Sequence, residues 1–399
     1  MAVTSTPETL APALEYAQGF WPRLIRHNPR QQGTLIGLPR PYLVPADGDM
    51  FQEMYYWDSF FMALGLVGTE HEDLILAMAD NLAYLFRQFG VIPNGSRYYF
   101  LSRSQPPFFT QLIWLAWDVL LRRSEAEARR YLASMMRLAE REHETVWMGT
   151  AQPHHRQVFG GLSRYFDINF LDMLASCESG WDHSTRCDDL WLQHLPVDLN
   201  SILYVREMDF ARAAEVFGNK RRAAAWRERA RERGTAINRL MWDEERGYYF
   251  DFNWAEGRRN RHLSLAGFYP LWAGLASQEQ ADRVVREWLP QFEHPGGLVT
   301  TEREQAGRQW AYPNGWAPLQ WLAVGGLERY GYTTEAQRIM SKWCANCAAV
   351  FDATGTMWEK YNVVRTGANP EVGLYGSLAG FGWSNGVFVD FARRLRAAT

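Results

Sequence analysis

The sequence predicts an all-α fold of about a dozen helices, and three observations carry that reading. Apolar residues recur at three- and four-residue spacing through most of the 399-residue chain. Strand signals are few and short. Several periodic segments stop at glycine, which takes the left-handed conformation that closes a helix: Gly90, Gly218 and Gly331.

In chain order, the periodicity places helices over 73–90, 109–124, 125–147, 200–218 and 220–242. The run GYYFDFN, Gly247 to Asn253, then reads as a hairpin beside a helix pair. Helices resume over 277–289, 316–331, 334–351 and 386–398. No Pro/Gly/Ser-rich linker interrupts the chain, so one catalytic domain over 1–399 is expected. The loops between helices carry Trp-Asp, Asn-Gly and Pro-Pro pairs. A toroid of six helix pairs, an (α/α)6 barrel, feeds such loops into one central cleft. Periodicity alone allows an α-solenoid or a large bundle equally, although no fixed repeat length favours the solenoid.

Composition excludes several classes. The net charge is −3, with 42 basic and 45 acidic residues spread throughout, so no basic block points to nucleic acid or a membrane surface. No apolar run approaches a membrane span. The first residues, MAVTSTPETLAPALEYAQGF, lack a charged region followed by an apolar one, which sets the expectation of a cytoplasmic protein, a monomer or small homo-oligomer. Four cysteines do not make a disulfide scaffold. The lone CxxC, Cys344 and Cys347, lies in a helical pattern with no second pair or histidine cluster, so buried thiols are expected and no metal or cofactor. The distinctive feature is 18 Trp, 18 Tyr and 22 Phe. Such rings serve a large core, but Trp and Tyr also offer an apolar face with a polar edge, as sugars require.

Two carboxylates stand in loops crowded with rings. Asp182 lies in CESGWDHSTRC, Cys177 to Cys187, after Gly180 and Trp181. Glu359 lies in GTMWEKYNVV, Gly355 to Val364, between Trp358 and Lys360. Either acid alone reads most simply as an ion-paired helix terminus. Together they suit glycoside hydrolysis, which needs one protonated and one ionised carboxyl. An apolar ring beside Asp182 favours its acid form, and cationic Lys360 favours ionised Glu359. Asp58 poses a related question within EMYYWDSFF, Glu53 to Phe61, because neither a dry core nor a solvated face suits an acid among so many rings. Further candidate sugar-binding loops are IPNGSRYYFLSRSQPPFF, with Asn94, Arg97, Arg103 and Gln105, GRQWAYPNGWAPLQW, with Gln309, Trp310, Asn314 and Trp316, and GFGWSNGV, with Trp383.

These segments, with LPVDLNS and GGLVTT, run in order from Phe51 to Val387 and resemble the trehalase family of glycoside hydrolases, family 37. The resemblance implies an (α/α)6 barrel and hydrolysis of an α-glucosidic bond with inversion. It implies Asp182 as general acid and Glu359 as general base. It implies sugar binding by Phe51, Tyr55, Trp57, Asp58, Asn94, Arg103 and Trp310. Gln105, Gly180, Gln309 and Trp383 join that set from the same loops, and Arg164 stands in for an arginine of the family. Asp58 would hold sugar hydroxyls while Tyr55 and Trp57 wall the ring.

The chain also departs from the family pattern. Met50 replaces an arginine, Ala311 the acid of a Gln-Trp-Asp signature, and Cys187 a tryptophan. Leu374 stands where the family has a glutamate, with Glu371 nearby but out of register. These changes fall mostly at the leaving-group side, so the expected substrate widens from trehalose to include other small α-glucosides. A glucosylglycerate- or mannosylglycerate-type hydrolase is the rival of the same class, with Arg103 and Arg164 pairing a carboxylate. A non-catalytic sugar-binding protein is the rival of another class. A sugar epimerase needs paired histidines, and His154, His155 and His183 show no such arrangement.

Overall fold

The structure, a computed structural model, describes residues 7–182, 184, 186–304, 307–367 and 377–398. Six helices form an inner ring: Tyr56–Leu66, Phe109–Arg123, Val197–Val216, Tyr269–Ala273, Ala317–Arg329 and Gly382–Ala397. Outside them pack Asp73–Phe89, Glu125–Glu142, Lys220–Met241, the Gln278–Arg283 and Leu289–Phe292 pair, Thr333–Thr354 and Pro7–Gly19. This is an (α/α)6 barrel. No helix among the described residues is long and apolar enough to cross a membrane.

Burial explains which helix goes where. Every residue of Tyr56–Leu66 is buried, and the segment is apolar on almost all sides, so it suits only the interior. The outer helices Glu125–Glu142 and Lys220–Met241 instead turn rows of Arg and Glu to solvent. The ring closes where Tyr56–Leu66 meets Gly382–Ala397. A Cβ on Gly386 would sit 2.1 Å from the Phe61 carbonyl oxygen, so only glycine allows that approach. Phe109–Arg123 and Val197–Val216 are tied by polar side chains: Gln111 Nε2 donates to Asp209 at 2.7 Å. Arg206 donates to the Pro107 carbonyl at 3.0 Å and to Glu142 of the outer layer at 2.7 Å.

Several elements differ from the periodicity. The 125–147 segment is helical only to Glu142 and then widens into a π turn, His143–Trp147. That turn brings the Trp147 indole N–H to within 3.3 Å of Glu142. The 277–289 segment does the same over Val284–Trp288, just ahead of Pro290, which has no N–H to continue the ladder. The 247–253 run is not one hairpin. Tyr248–Tyr249 pairs with Trp242–Asp243, while Phe252–Asn253 lies between His194–Leu195 and Arg258–Arg259. The glycine stops are present: Gly90 takes φ 71° and donates to the Phe86 carbonyl at 2.8 Å, and Gly218 and Gly331 also have positive φ.

Candidate active site

A cleft enclosing about 570 Å³, part of it open to solvent, gathers loops from across the chain. Asp58, Asp182 and Glu359 all face it, walled by Phe51, Tyr55, Trp57, Trp310 and Trp383.

Asp182 arrives by a tight turn after helix Asp172–Glu178. Gly180 takes φ 73°, and a Cβ there would lie 2.6 Å from the Trp57 ring, so the turn packs directly on that indole. The Trp181 N–H donates to Ser179 Oγ at 3.0 Å, and the fully buried Trp181 ring stacks on Trp310. Burial pushes the Asp182 carboxyl up to about 7, the charge of Glu359 adds to the rise, and Arg103 opposes it.

Glu359 is held by its backbone on both sides. Its N–H donates to the Leu378 carbonyl at 3.0 Å, and its carbonyl accepts the Trp383 indole N–H at 2.9 Å. The next residues, Tyr361–Asn362, pair antiparallel with Asn314–Gly315, which ties this loop to the YPNGW turn. Buried Lys360 places its ammonium 3.1 Å from Glu359 Oε2 and 3.3 Å from Gln309 Oε1.

Asp58 sits in the first turn of its helix. Burial raises its pKa to about 8, and the charges of Asp182 and Glu359 raise it too, while a hydrogen bond with Gln105 opposes. Three carboxyls in one ring-walled space do not all ionise together at neutral pH, and burial favours the protonated form of both Asp58 and Asp182. Tyr55 donates to Glu53 at 2.5 Å, and Glu53 in turn pairs with Arg97 at 2.7 Å. Asn94 Nδ2 donates to the carbonyls of Ser104 and Cys177, at 3.0 and 3.1 Å, joining two lining loops. Gln105 Oε1 accepts the Trp57 N–H at 3.1 Å. Arg103 reaches Asp167 at 3.4 Å and lies 5.1 Å from the Phe100 ring centre, with its Nε buried and unpartnered.

Thus Phe51, Tyr55, Trp57, Asp58, Asn94, Arg103, Gln105, Gly180, Asp182, Trp310, Glu359 and Trp383 share the cavity wall. Arg164 and Gln309 are not part of that wall. Arg164 spends its guanidinium on the carbonyls of His155, Leu192 and His154 and lies over Phe166 and Trp254. Gln309 stands behind Glu359 and orients Lys360. Pro45, Phe100, Cys177, Trp316 and Phe381 also line the cavity. Phe100 and Phe381 lay in runs already singled out, whereas Pro45 carries no local signal. Behind the wall, buried Glu178 accepts the Ser104 N–H at 2.6 Å, the Phe166 N–H at 2.7 Å and the Arg156 guanidinium. Among the departures, Met50 is 46% exposed, and Ala311 and Cys187 are buried. His183, Thr185, Glu371 and Leu374 lie outside the described residues.

A family model described as Trehalase matches residues 6–169 and 169–396. The chain is 36% identical to a periplasmic trehalase of Pseudomonas aeruginosa over 98% of its length and 78% of the relative's. It is also 36% identical to a periplasmic trehalase of Xanthomonas campestris, over 94% of the chain and 72% of that protein. Among solved structures, the neutral trehalase Nth1 of Saccharomyces cerevisiae superposes with a TM-score of 0.78 at 30% identity. The match covers 90% of this chain and 76% of that one. A GH63 mannosylglycerate hydrolase of Thermus thermophilus shares the fold with a TM-score of 0.69 at 19% identity, over 94% and 99% of the two chains. The periplasmic relatives overturn the expectation of a cytoplasmic protein. That expectation leaned on the absence of a leader pattern, and an absence carries no information about compartment. Family model and relatives agree across nearly the whole sequence: the chain belongs to the trehalase family of glycoside hydrolases.

Proposed function

We propose that the enzyme hydrolyses trehalose with inversion at the anomeric carbon, Asp182 acting as general acid and Glu359 as general base. The observation that carries this reading is the pair of carboxyls in one ring-walled cavity with opposite electrostatic surroundings. Asp182, raised to about 7 by burial, keeps a proton to give to the leaving oxygen. Glu359, whose charged form the Lys360 ammonium at 3.1 Å favours, draws a proton from water. The water attacks the face opposite the leaving group, its oxygen bonding to C1 as the C1–O bond breaks toward Asp182. In such a mechanism the carboxyls stand about 6.5–9.5 Å apart, leaving room for that water.

Binding is divided among the remaining wall residues. Trp57, Trp310 and Trp383 offer faces and edges to the C–H surface of the sugar. Asp58, whose acid form burial favours, donates to one hydroxyl, and Asn94, Gln105 and Arg103 are the adjacent polar groups. The named relatives support trehalose as the disaccharide. The site needs no metal in this scheme. Asp182→Asn and Glu359→Gln test it, each expected to abolish turnover with folding intact, and near-normal turnover in either refutes the assignment.

A second reading, an α-glucoside whose leaving group bears a carboxylate, draws on one observation. Arg103 lines the cavity, and its single carboxylate contact is long, at 3.4 Å. Comparing trehalose with glucosylglycerate decides it, since only one should saturate at low concentration.

A further inference from the structure

We infer that a row of stacked rings, Trp181–Trp310–Trp316, is the spacer that holds the Asp182 and Glu359 carboxyls at their working separation, with Trp316 as a positioning residue. The inference rests on the proposed roles of those two carboxyls and goes beyond them. Its links are contiguous. Trp181 immediately precedes Asp182, and its ring centre lies 5.5 Å from that of Trp310 at an interplanar angle of 19°. Trp310 lies 3.8 Å from Trp316 at 2°. The Lys360 ammonium lies 5.4 Å from the Trp316 centre, and the same ammonium holds Glu359 Oε2 at 3.1 Å. Chemistry-bearing side chains from three separate loops are therefore joined through rigid plates.

An ordinary aromatic core does not explain this arrangement. Isolated ring pairs avoid close, parallel, face-to-face contact, because their negative faces repel, and prefer offset or edge-on geometries. Here the cations at the two ends supply what the rings lack. Arg186 lies 4.5 Å from the Trp181 centre, itself fixed by Asp198 and Asp251, and Lys360 lies near Trp316. A cation near a ring face attracts its quadrupole. Trp383 meets Trp310 and Trp316 edge-on, at 81° and 82°, and also bonds the Glu359 carbonyl, so the row is clamped from the side. Aromatic plates do not compress, and acid–base separation is the variable that governs inverting chemistry.

The test is a double-mutant cycle of Trp316→Leu and Glu359→Gln, read on trehalose and on α-glucosyl fluoride with added azide, an anion that attacks C1 without a general base and so keeps the Glu359→Gln variants measurable. Trp316→Leu alone is expected to lower kcat by about 100-fold, the usual cost of a misplacement of roughly 1 Å, with KM nearly unchanged. In the Glu359→Gln background the same change is expected to cost little, because residues that act through one another are not additive. Trp316→Phe, which retains a plate, is expected to recover most of kcat, and it decides the question by the same readouts if Trp316→Leu fails to fold. Additive losses, or a rise in KM with kcat unchanged, overturn the spacer and leave Trp316 with no role beyond lining the sugar site. Full activity of Glu359→Gln by itself instead removes the base assignment, whatever Trp316 does.

Discussion

Trp383 donates its indole N–H to the carbonyl of Glu359 at 2.9 Å, so one wall of the cavity also fixes the backbone of a cavity carboxylate. Trp383→Phe keeps the apolar wall and removes the donor. The expected result is a fall in kcat of about tenfold, equivalent to ~1.4 kcal/mol, larger than any change in KM. Steady-state kinetics on trehalose check it.

The pH profile follows from the acid. Asp182 serves only while protonated, and burial holds its pKa up to about 7, so kcat/KM should decline as pH rises past that value. Arg103 restrains the rise. Arg103→Met is therefore expected to shift the alkaline limb to higher pH, alongside any loss of rate. A limb that stays in place or moves down contradicts the electrostatic account.

Stability should fall as pH rises through the window set by Asp58. Its pKa is 3.8 in the reference state and about 8 in the fold. Between those values the native chain binds more protons than the unfolded one, so rising pH favours unfolding, and the effect levels off above about 8. Asp58→Asn removes the titration. Its melting temperature relative to the parent should be higher at pH 9 than at pH 4.

Glu178 is fully buried and serves as acceptor for Arg156 and for two loop N–H groups. Glu178→Gln leaves a buried guanidinium unbalanced and turns an amide donor toward other donors. A loss of about 3–5 kcal/mol in unfolding free energy is expected, measured by denaturant titration. Gly180→Ala should also destabilise, because its Cβ would meet the Trp57 ring at 2.6 Å on a backbone at φ 73°.

The outer helices from Asp73–Phe89 onward were legible in the sequence because one face of each meets solvent, which is what writes a 3.6-residue period. The outer helix Pro7–Gly19 was not among those the periodicity placed. Helix Tyr56–Leu66 shows no such period, because it is buried on every side, and its motif suggested a pocket rather than a helix. Tyr269–Ala273 is too short to show one. The aromatic and carboxylate clusters marked most of the side chains that share the cavity, since such crowding is local in sequence. The support behind them is not local. Arg156 and Glu178 are 22 residues apart, and Trp181 meets a partner on the 310 loop. Arg164 was chosen for its residue type alone, and the fold spends its donors on backbone carbonyls.

The most direct test of the central claim is NMR of the anomeric protons in the first minutes of trehalose hydrolysis, before mutarotation. Inversion across the Asp182–Glu359 pair predicts β-glucose and α-glucose in equal amounts, one from the attacked ring and one from the leaving group. Release of α-glucose alone would contradict it.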